Sequence, residues 1–158
     1  MKLKDCHNFE DFRKLAKKKL PSPIFHYIDG GADDEVTLNR NTSSFNDYDL
    51  VPSVLNDVSN IDMSTTVLGE KIDFPLFPAA TAMHRLYHHQ GERASAKAVE
   101  KMGTIFGTST MGTVSVEEIA KVNKGPKLFQ LYIHKDRGLT DNLLERCKKS
   151  GFSSMCLT

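Results

Sequence analysis

The sequence is poor in cysteine, in long apolar runs and in any surplus of charge of one sign. Lys and Arg number 21 against 20 Asp and Glu, for a formal net charge of +1. That balance argues against the broad basic surface by which proteins hold nucleic acid or anionic lipid, and leaves small neutral or acidic partners. The three cysteines, Cys6, Cys147 and Cys156, are odd in number, far apart and without the CxxC spacing of a zinc site or a redox pair. Free thiols in a reducing, cytoplasmic setting are expected. No stretch approaches the roughly 18 apolar residues of a membrane-spanning helix, and the start Met1-Lys2-Leu3-Lys4-Asp5 lacks the apolar run of a signal peptide. Peripheral contact with a membrane surface is left open.

What is present is the composition of a soluble globular domain, 39% hydrophobic and 26% charged. A chain of 158 residues is enough for one domain that removes roughly 70% of its unfolded surface from water. Residues 1–73 read as a helical and hairpin lead-in. Asn8 is placed to cap a helix to about Lys19, with Phe9, Phe12, Leu15, Ala16 and Leu20 on one face and the lysines on the other. Ser22-Pro23 opens a second helix that Gly30-Gly31 ends, and a third runs from about Asp34 to Ser43. Asp29, Asp33, Asp34 and Glu35 lack the order of a calcium loop and read as helix-start acids. A surface loop then leads to a small hairpin around Leu68-Gly69-Glu70-Lys71.

From residue 74 to residue 158 strands and helices alternate. Strands are expected at 76–79, 104–108, 127–132 and 152–158, and helices at 91–102, 115–122 and 138–150. Crossovers this short demand a parallel sheet, either doubly wound or a (β/α)8 TIM barrel. The phosphate loops of the first class are missing: no GxGxxG follows the first strand, and Gly107-Thr108-Ser109-Thr110-Met111-Gly112 continues with Thr113-Val114 where Lys-Ser/Thr is required. The expectation is therefore an α/β fold, the N-terminal helical segment and about the first four strands of a TIM barrel. Because a barrel takes about 250 residues, the chain reads as the N-terminal part of something longer.

Active sites of such barrels lie at the carboxyl ends of the strands. There the sequence places Ala80-Thr81-Ala82-Met83, Ser109-Thr110-Met111, Gln130-Leu131-Tyr132 and Thr158. A carboxamide, hydroxyls and a phenol on one rim suit hydrogen bonding to a flat polar ring, although Ser and Thr are also ordinary helix caps.

Several runs, in order and with compatible spacing, carry a resemblance over nearly the whole chain. They are Tyr27-Ile28-Asp29-Gly30-Gly31-Ala32-Asp33-Asp34-Glu35, Ala79-Ala80-Thr81-Ala82-Met83, Ser109-Thr110, Ser115-Val116-Glu117-Glu118, Phe129-Gln130-Leu131-Tyr132, Lys135-Asp136-Arg137 and Leu157-Thr158. Together they resemble the FMN-dependent α-hydroxy acid dehydrogenase/oxidase family, which includes L-lactate dehydrogenases, glycolate oxidases and flavocytochrome b2. The resemblance implies FMN as cofactor, with the Ala80, Thr81 and Ala82 backbone against the flavin ring and Ser109, Gln130, Tyr132 and Thr158 as further contacts. It implies that Tyr27 binds the substrate carboxylate and that Tyr132 bonds the substrate near the reacting carbon. Phenols steady an anionic substrate, and neutral donors adjust the flavin without competing charge.

Two departures concern the pocket. Ala80, a form that occurs elsewhere in the family, stands where many glycolate oxidases have Pro, and Met111 where they have Trp. Met111 changes the wall against the substrate side chain and points toward lactate or a larger substrate. The family's catalytic histidine, and the arginine and lysine that hold substrate and flavin, belong to later strands; none of His7, His26, His84, His88, His89 and His134 matches that histidine. His84 and His88 stand four apart, but without an HExxH they do not make a zinc motif. Cys147 falls on an apolar face with Leu139, Leu143 and Leu144, as a core residue. The implied function is oxidation of an (S)-2-hydroxy acid, foremost L-lactate, with oxygen, a quinone or a cytochrome as electron acceptor, by a full-length enzyme that is a homo-oligomer. The competing expectation is a non-catalytic half-barrel that binds flavin weakly or pairs with a complementary chain. An aldolase or isomerase would want a lysine or carboxylate at these strand ends, and the sequence has neither there.

Overall fold

The structure, a computed structural model, describes residues 2–158. The chain divides into two compact units, one up to Val58 and one from Ser59 to Thr158.

In the first unit, helices α1 (Phe9–Lys19), α2 (Ser22–Asp29) and α3 (Val36–Ser43) form where the caps and breakers put them. The Asn8 side chain accepts the Asp11 amide at 2.9 Å, satisfying one of the free donors of the first turn. Pro23, in the first turn of α2, needs no hydrogen-bond partner for a missing N–H. A fork of two bonds, Arg13 Nε to Asp29 Oδ1 at 2.5 Å and Nη2 to Oδ2 at 2.9 Å, joins α1 to α2. Asp29 is therefore an ion-pair partner, and Glu35 accepts the Gly31 amide at 3.0 Å. The apolar stripe of α1 is less covered than its pattern suggests. Leu15 is buried together with Phe25 of α2, whereas Phe9 and Phe12 stay exposed.

The second unit opens with the expected hairpin, β1 (Thr65–Val67) and β2 (Glu70–Ile72), antiparallel with Val67 opposite Glu70. Leu68 and Gly69 both take positive φ, 53° and 80°, the twist that a two-residue hairpin turn requires. Then follow α4 (Glu92–Lys101), β3 (Phe106–Ser109), α5 (Val116–Val122), β4 (Lys127–Leu131), α6 (Arg137–Lys149) and β5 (Ser154–Leu157). The strands β3, β4 and β5 are parallel and lie in sequence order, Phe106 opposite Lys127 and Leu128 opposite Ser154. A doubly wound sheet reverses its strand order at a switch point, whereas a barrel adds each strand to the same side of the last. Sequential order over β3, β4 and β5 is what an arc of a (β/α)8 barrel requires.

The strand expected at 76–79 does not form. Among the described residues a single parallel bridge, Thr81 to Thr108, continues the sheet beyond β3. Pro75 precedes this stretch and Pro78 lies within it, and neither has an N–H to give a ladder. The Leu76 carbonyl is taken instead by the Thr104 hydroxyl at 2.7 Å. β4 starts at Lys127 as expected, whereas β3 and β5 start two residues later than their apolar runs because helix ends claim the leading residues. Thr104 N–H donates to Val99 O, and Phe152 N–H to Cys147 O, closing α4 and α6.

Alternation along the strands sorts the two faces of the sheet. Phe106 packs with Ala96, Val99, Val114 and Ile119, and Phe129 and Leu131 with Val116 and Cys147, so these residues face the helices. Phe152 touches both clusters and meets Phe129 edge to face with ring centroids 6.1 Å apart. Truncating Phe106 to Ala costs about 3–5 kcal/mol in such a core. Gly107, Ser109, Leu128 and Gln130 take the opposite, inner face.

Candidate functional site

The inner face ends in a hydrogen-bonded row across three adjacent strands. Ser109, at the last position of β3, is the register partner of Gln130 on β4. Its hydroxyl donates to Gln130 Oε1 at 2.7 Å and accepts the Met111 amide at 3.1 Å. Gln130 Nε2 in turn donates to Thr158 Oγ1 at 2.5 Å, just past β5. Both Ser109 and Gln130 are buried, so an unpaired amide there would be costly and the row holds its direction. Two donor hydrogens are left over, the second on Gln130 Nε2 and the hydroxyl hydrogen of Thr158.

Thr110 ties the strand ends together from beside the row. Its amide and its hydroxyl both donate to the Gln130 carbonyl, at 2.9 and 2.7 Å, and its hydroxyl accepts the Tyr132 amide at 3.0 Å. Tyr132 is thereby fixed at its backbone just beyond β4 while its side chain is half exposed, at 48%. The segment carrying Ala80 runs close against β3. A Cβ on Gly107 would lie 3.0 Å from Ala80 N and 3.2 Å from Pro78 O, so only glycine admits this approach without a shift. Thr81 bridges Thr108, Ala82 is half-buried, and the Met83 amide donates to Met111 O at 3.1 Å. Ala80, Thr81, Ala82, Ser109, Gln130, Tyr132 and Thr158 thus all belong to this one end of the sheet. Tyr27 stands near the C-terminus of α2 in the first unit, with its side chain exposed.

Under the rim lies a carboxylate that composition and spacing do not single out. Glu92, the first residue of α4, is fully buried. Its Oε1 accepts the Thr113 amide at 2.8 Å and the His84 amide at 3.3 Å, and its Oε2 accepts the Thr113 hydroxyl at 2.7 Å. Burial alone would raise this carboxyl, but the bonds from Thr113 and His84 outweigh it and hold it below the usual carboxylate range. In the sequence Glu92 looks like an ordinary acid in a first helical turn, a position the helix dipole favours anyway. The clamp made by Thr110 was equally invisible, since a Thr after a strand is more often a cap.

The remaining singled-out residues take structural roles. His84 Nδ1 lies 3.2 Å from Ser95 Oγ, and the His88 and His89 rings stack at 4.3 Å. Cys147 is buried among Phe129, Leu131 and Val116, and burial pushes its thiol up to about 11.

The donor set fits a flavin: neutral amide and hydroxyl groups in a line, spare hydrogens on Gln130 and Thr158, and a glycine that lets backbone approach closely. A uracil-like ring edge alternates carbonyl acceptors and an N–H, which such a line can meet without a charge.

Comparison with known proteins bears on the same chain. Glycolate oxidase of Spinacia oleracea is 42% identical over 151 residues, covering 96% of this chain and 41% of that protein. L-lactate dehydrogenase of Vibrio parahaemolyticus is 43% identical over 148 residues, covering 94% and 39%. The solved flavin-binding domain of baker's yeast flavocytochrome b2 superposes with a TM-score of 0.90 at 31% identity, over 99% of this chain and 42% of that one. The chain spans about two fifths of the length of the curated relatives it matches. Residues 16–158 match the family described as FMN-dependent dehydrogenase, and with that match, the flavoenzyme relatives and the barrel arc in agreement, the chain belongs to the FMN-dependent dehydrogenases.

Proposed function

We propose that the whole protein oxidises an (S)-2-hydroxy acid, with L-lactate as substrate, and that the rim formed by Ser109, Gln130 and Thr158 holds the flavin of FMN. The observation that carries this reading is the directional row Ser109 to Gln130 to Thr158 across three strand ends, which leaves donors without adding charge. In this reading Ala80, Thr81 and Ala82 give the flavin ring a close backbone surface, and Gln130 and Thr158 donate to its polar edge. Bound there, FMN supplies acceptance of two electrons from the substrate. Tyr132, fixed through its amide to Thr110, orients the hydroxy acid, and Tyr27 holds the carboxylate. Met111, exposed beside the rim, leaves more room than a tryptophan would, which supports lactate over glycolate. The three free thiols support a cytoplasmic location. Residues 74–158 supply the first βα units of one barrel domain, with 1–73 as its lead-in.

The test is anaerobic mixing of the FMN-loaded whole protein with L-lactate, glycolate or mandelate. Bleaching of the flavin band is expected fastest with L-lactate, and no bleaching by any 2-hydroxy acid overturns the reading. A second reading, a flavin-binding half-barrel that pairs with a complementary chain, is favoured by β5, the outermost strand of its sheet, with Met155 and Leu157 half exposed. Sedimentation of the chain separates the two: a stable monomer sinks the second.

A further inference from the structure

Two loops meet at the rim, one from Thr81 to Gly91 and one from Thr110 to Val114, and the bonds between them converge on one side chain. Glu92 receives His84 from the first loop and both the amide and the hydroxyl of Thr113 from the second. The Thr113 hydroxyl, while donating to Glu92, accepts the Arg85 amide at 3.1 Å. Above this junction the Met83 amide donates to Met111 O, and the Met111 amide donates to Ser109 Oγ, the head of the row. A path of hydrogen bonds joined by short backbone segments thus runs from Glu92 through Thr113 and the two loops to Ser109. Gly91 sits at the crossing with a positive φ of 56°, and a Cβ there would lie 2.7 Å from the Arg85 side chain and 3.3 Å from Val114. The junction is packed as well as bonded.

We infer that Glu92 is a positioning residue whose buried carboxylate locks these two loops and thereby sets Ser109 and the Ala80–Ala82 backbone for the flavin. The part of this inference that concerns the flavin rests on the function proposed above; the lock itself does not. A carboxylate suits the task because it accepts three bonds and donates none. A glutamine puts an NH2 group where the Thr113 hydroxyl must donate. That hydroxyl would have to reverse, while its other lone pair still serves Arg85.

The experiment compares Glu92→Gln, Thr113→Val and Thr113→Ser with the unaltered protein by two measurements. Amide hydrogen exchange, which needs no flavin, is read at His84, Arg85, Thr113 and Met83, with Phe106 and Ser153, whose amides open the β3–β4 and β4–β5 ladders at the far end of the sheet, as controls. Exchange at the four loop amides is expected to rise roughly tenfold or more in E92Q and T113V and to stay unchanged at the ladder. T113S, which keeps the hydroxyl, is expected to restore protection. In the FMN-loaded whole protein, E92Q and T113V are expected to shift the flavin absorption band and weaken FMN binding roughly tenfold, and T113S to do neither. Exchange that is unchanged, or that rises equally at loop and ladder, overturns the lock. Loosened loops with an unmoved flavin band and unchanged FMN affinity overturn the positioning role. Failure of the unaltered whole protein to take up FMN overturns the flavin site proposed above, and the exchange arm then decides the lock alone.

Discussion

Ser109 and Gln130 are register partners on adjacent parallel strands and share a 2.7 Å hydrogen bond on the inner face of the sheet. The pair turns two neutral side chains into one oriented group, because the serine hydrogen points at the carboxamide oxygen and so forces the amide nitrogen toward Thr158. Orientation of an amide is otherwise a twofold choice of nearly equal cost. Here burial and the Met111 amide behind Ser109 remove the choice.

Replacing Gln130 by Leu keeps the shape and leaves the buried Ser109 hydroxyl and the Thr158 hydroxyl without the amide. A loss of about 1–3 kcal/mol is expected, read as a lower urea midpoint with an unchanged slope. In the whole protein FMN affinity should fall with it, measured by flavin fluorescence; an unchanged affinity would remove Gln130 from the cofactor site.

Gly107→Ala tests the close approach of residues 78–80 to β3. The added methyl meets two backbone atoms of Ala80 and one of Pro78, none of which is the end of a flexible side chain. Destabilisation by about 1–3 kcal/mol is expected from such overpacking, visible as a fall in Tm. A wild-type Tm would show that the segment moves aside freely.

Glu117 and Arg146 join α5 to α6 by two bonds of 2.7 and 2.9 Å. The Arg146 guanidinium, with help from backbone amide donation, holds the Glu117 carboxyl down to about 2. A carboxyl depressed in the folded state contributes stability that is complete above its ordinary range near pH 4.5 and is lost as pH falls through about 2. Both side chains are partly exposed, so the pair is worth at most about 1 kcal/mol. Glu117→Gln should lower stability by up to that amount at pH 7 and by progressively less toward pH 2, in paired denaturant melts. A difference independent of pH would assign the effect to packing.

Thiol labelling should separate the cysteines. Cys156 is exposed and Cys6 partly so, whereas Cys147 is buried with its thiol raised to about 11. An aromatic disulfide reagent at pH 8 is expected to modify two thiols quickly and the third only with unfolding. Three equal rates would contradict the packing of α6 on β4.

Much of the fold was legible because its signals are local. Asn8 and Ser115 begin helices with their own side chains, and Gly103 and Gly151 follow helix ends in the left-handed region. The stretch 76–79 was misread since its apolar residues suit a strand, while the decisive fact is what Pro75 and Pro78 lack. Of the rim, the strand-end positions of Ser109, Gln130 and Thr158 follow from strand period and the barrel rule. Their direction does not, because it depends on Met111 donating from a loop. Glu92 and Thr113, 21 residues apart in sequence, meet only through the packing of α4 beside β3, which no short-range pattern reports.

The sequential order of β3, β4 and β5 bears on how the chain is made. Each strand needs as partner the one that left the ribosome just before it, across a single intervening helix. Within this three-stranded sheet no pairing joins strands distant in sequence, so no large loop is closed before the contacts that reward it. The same order lets the sheet lengthen one βα unit at a time during synthesis, each new unit docking on an edge already formed.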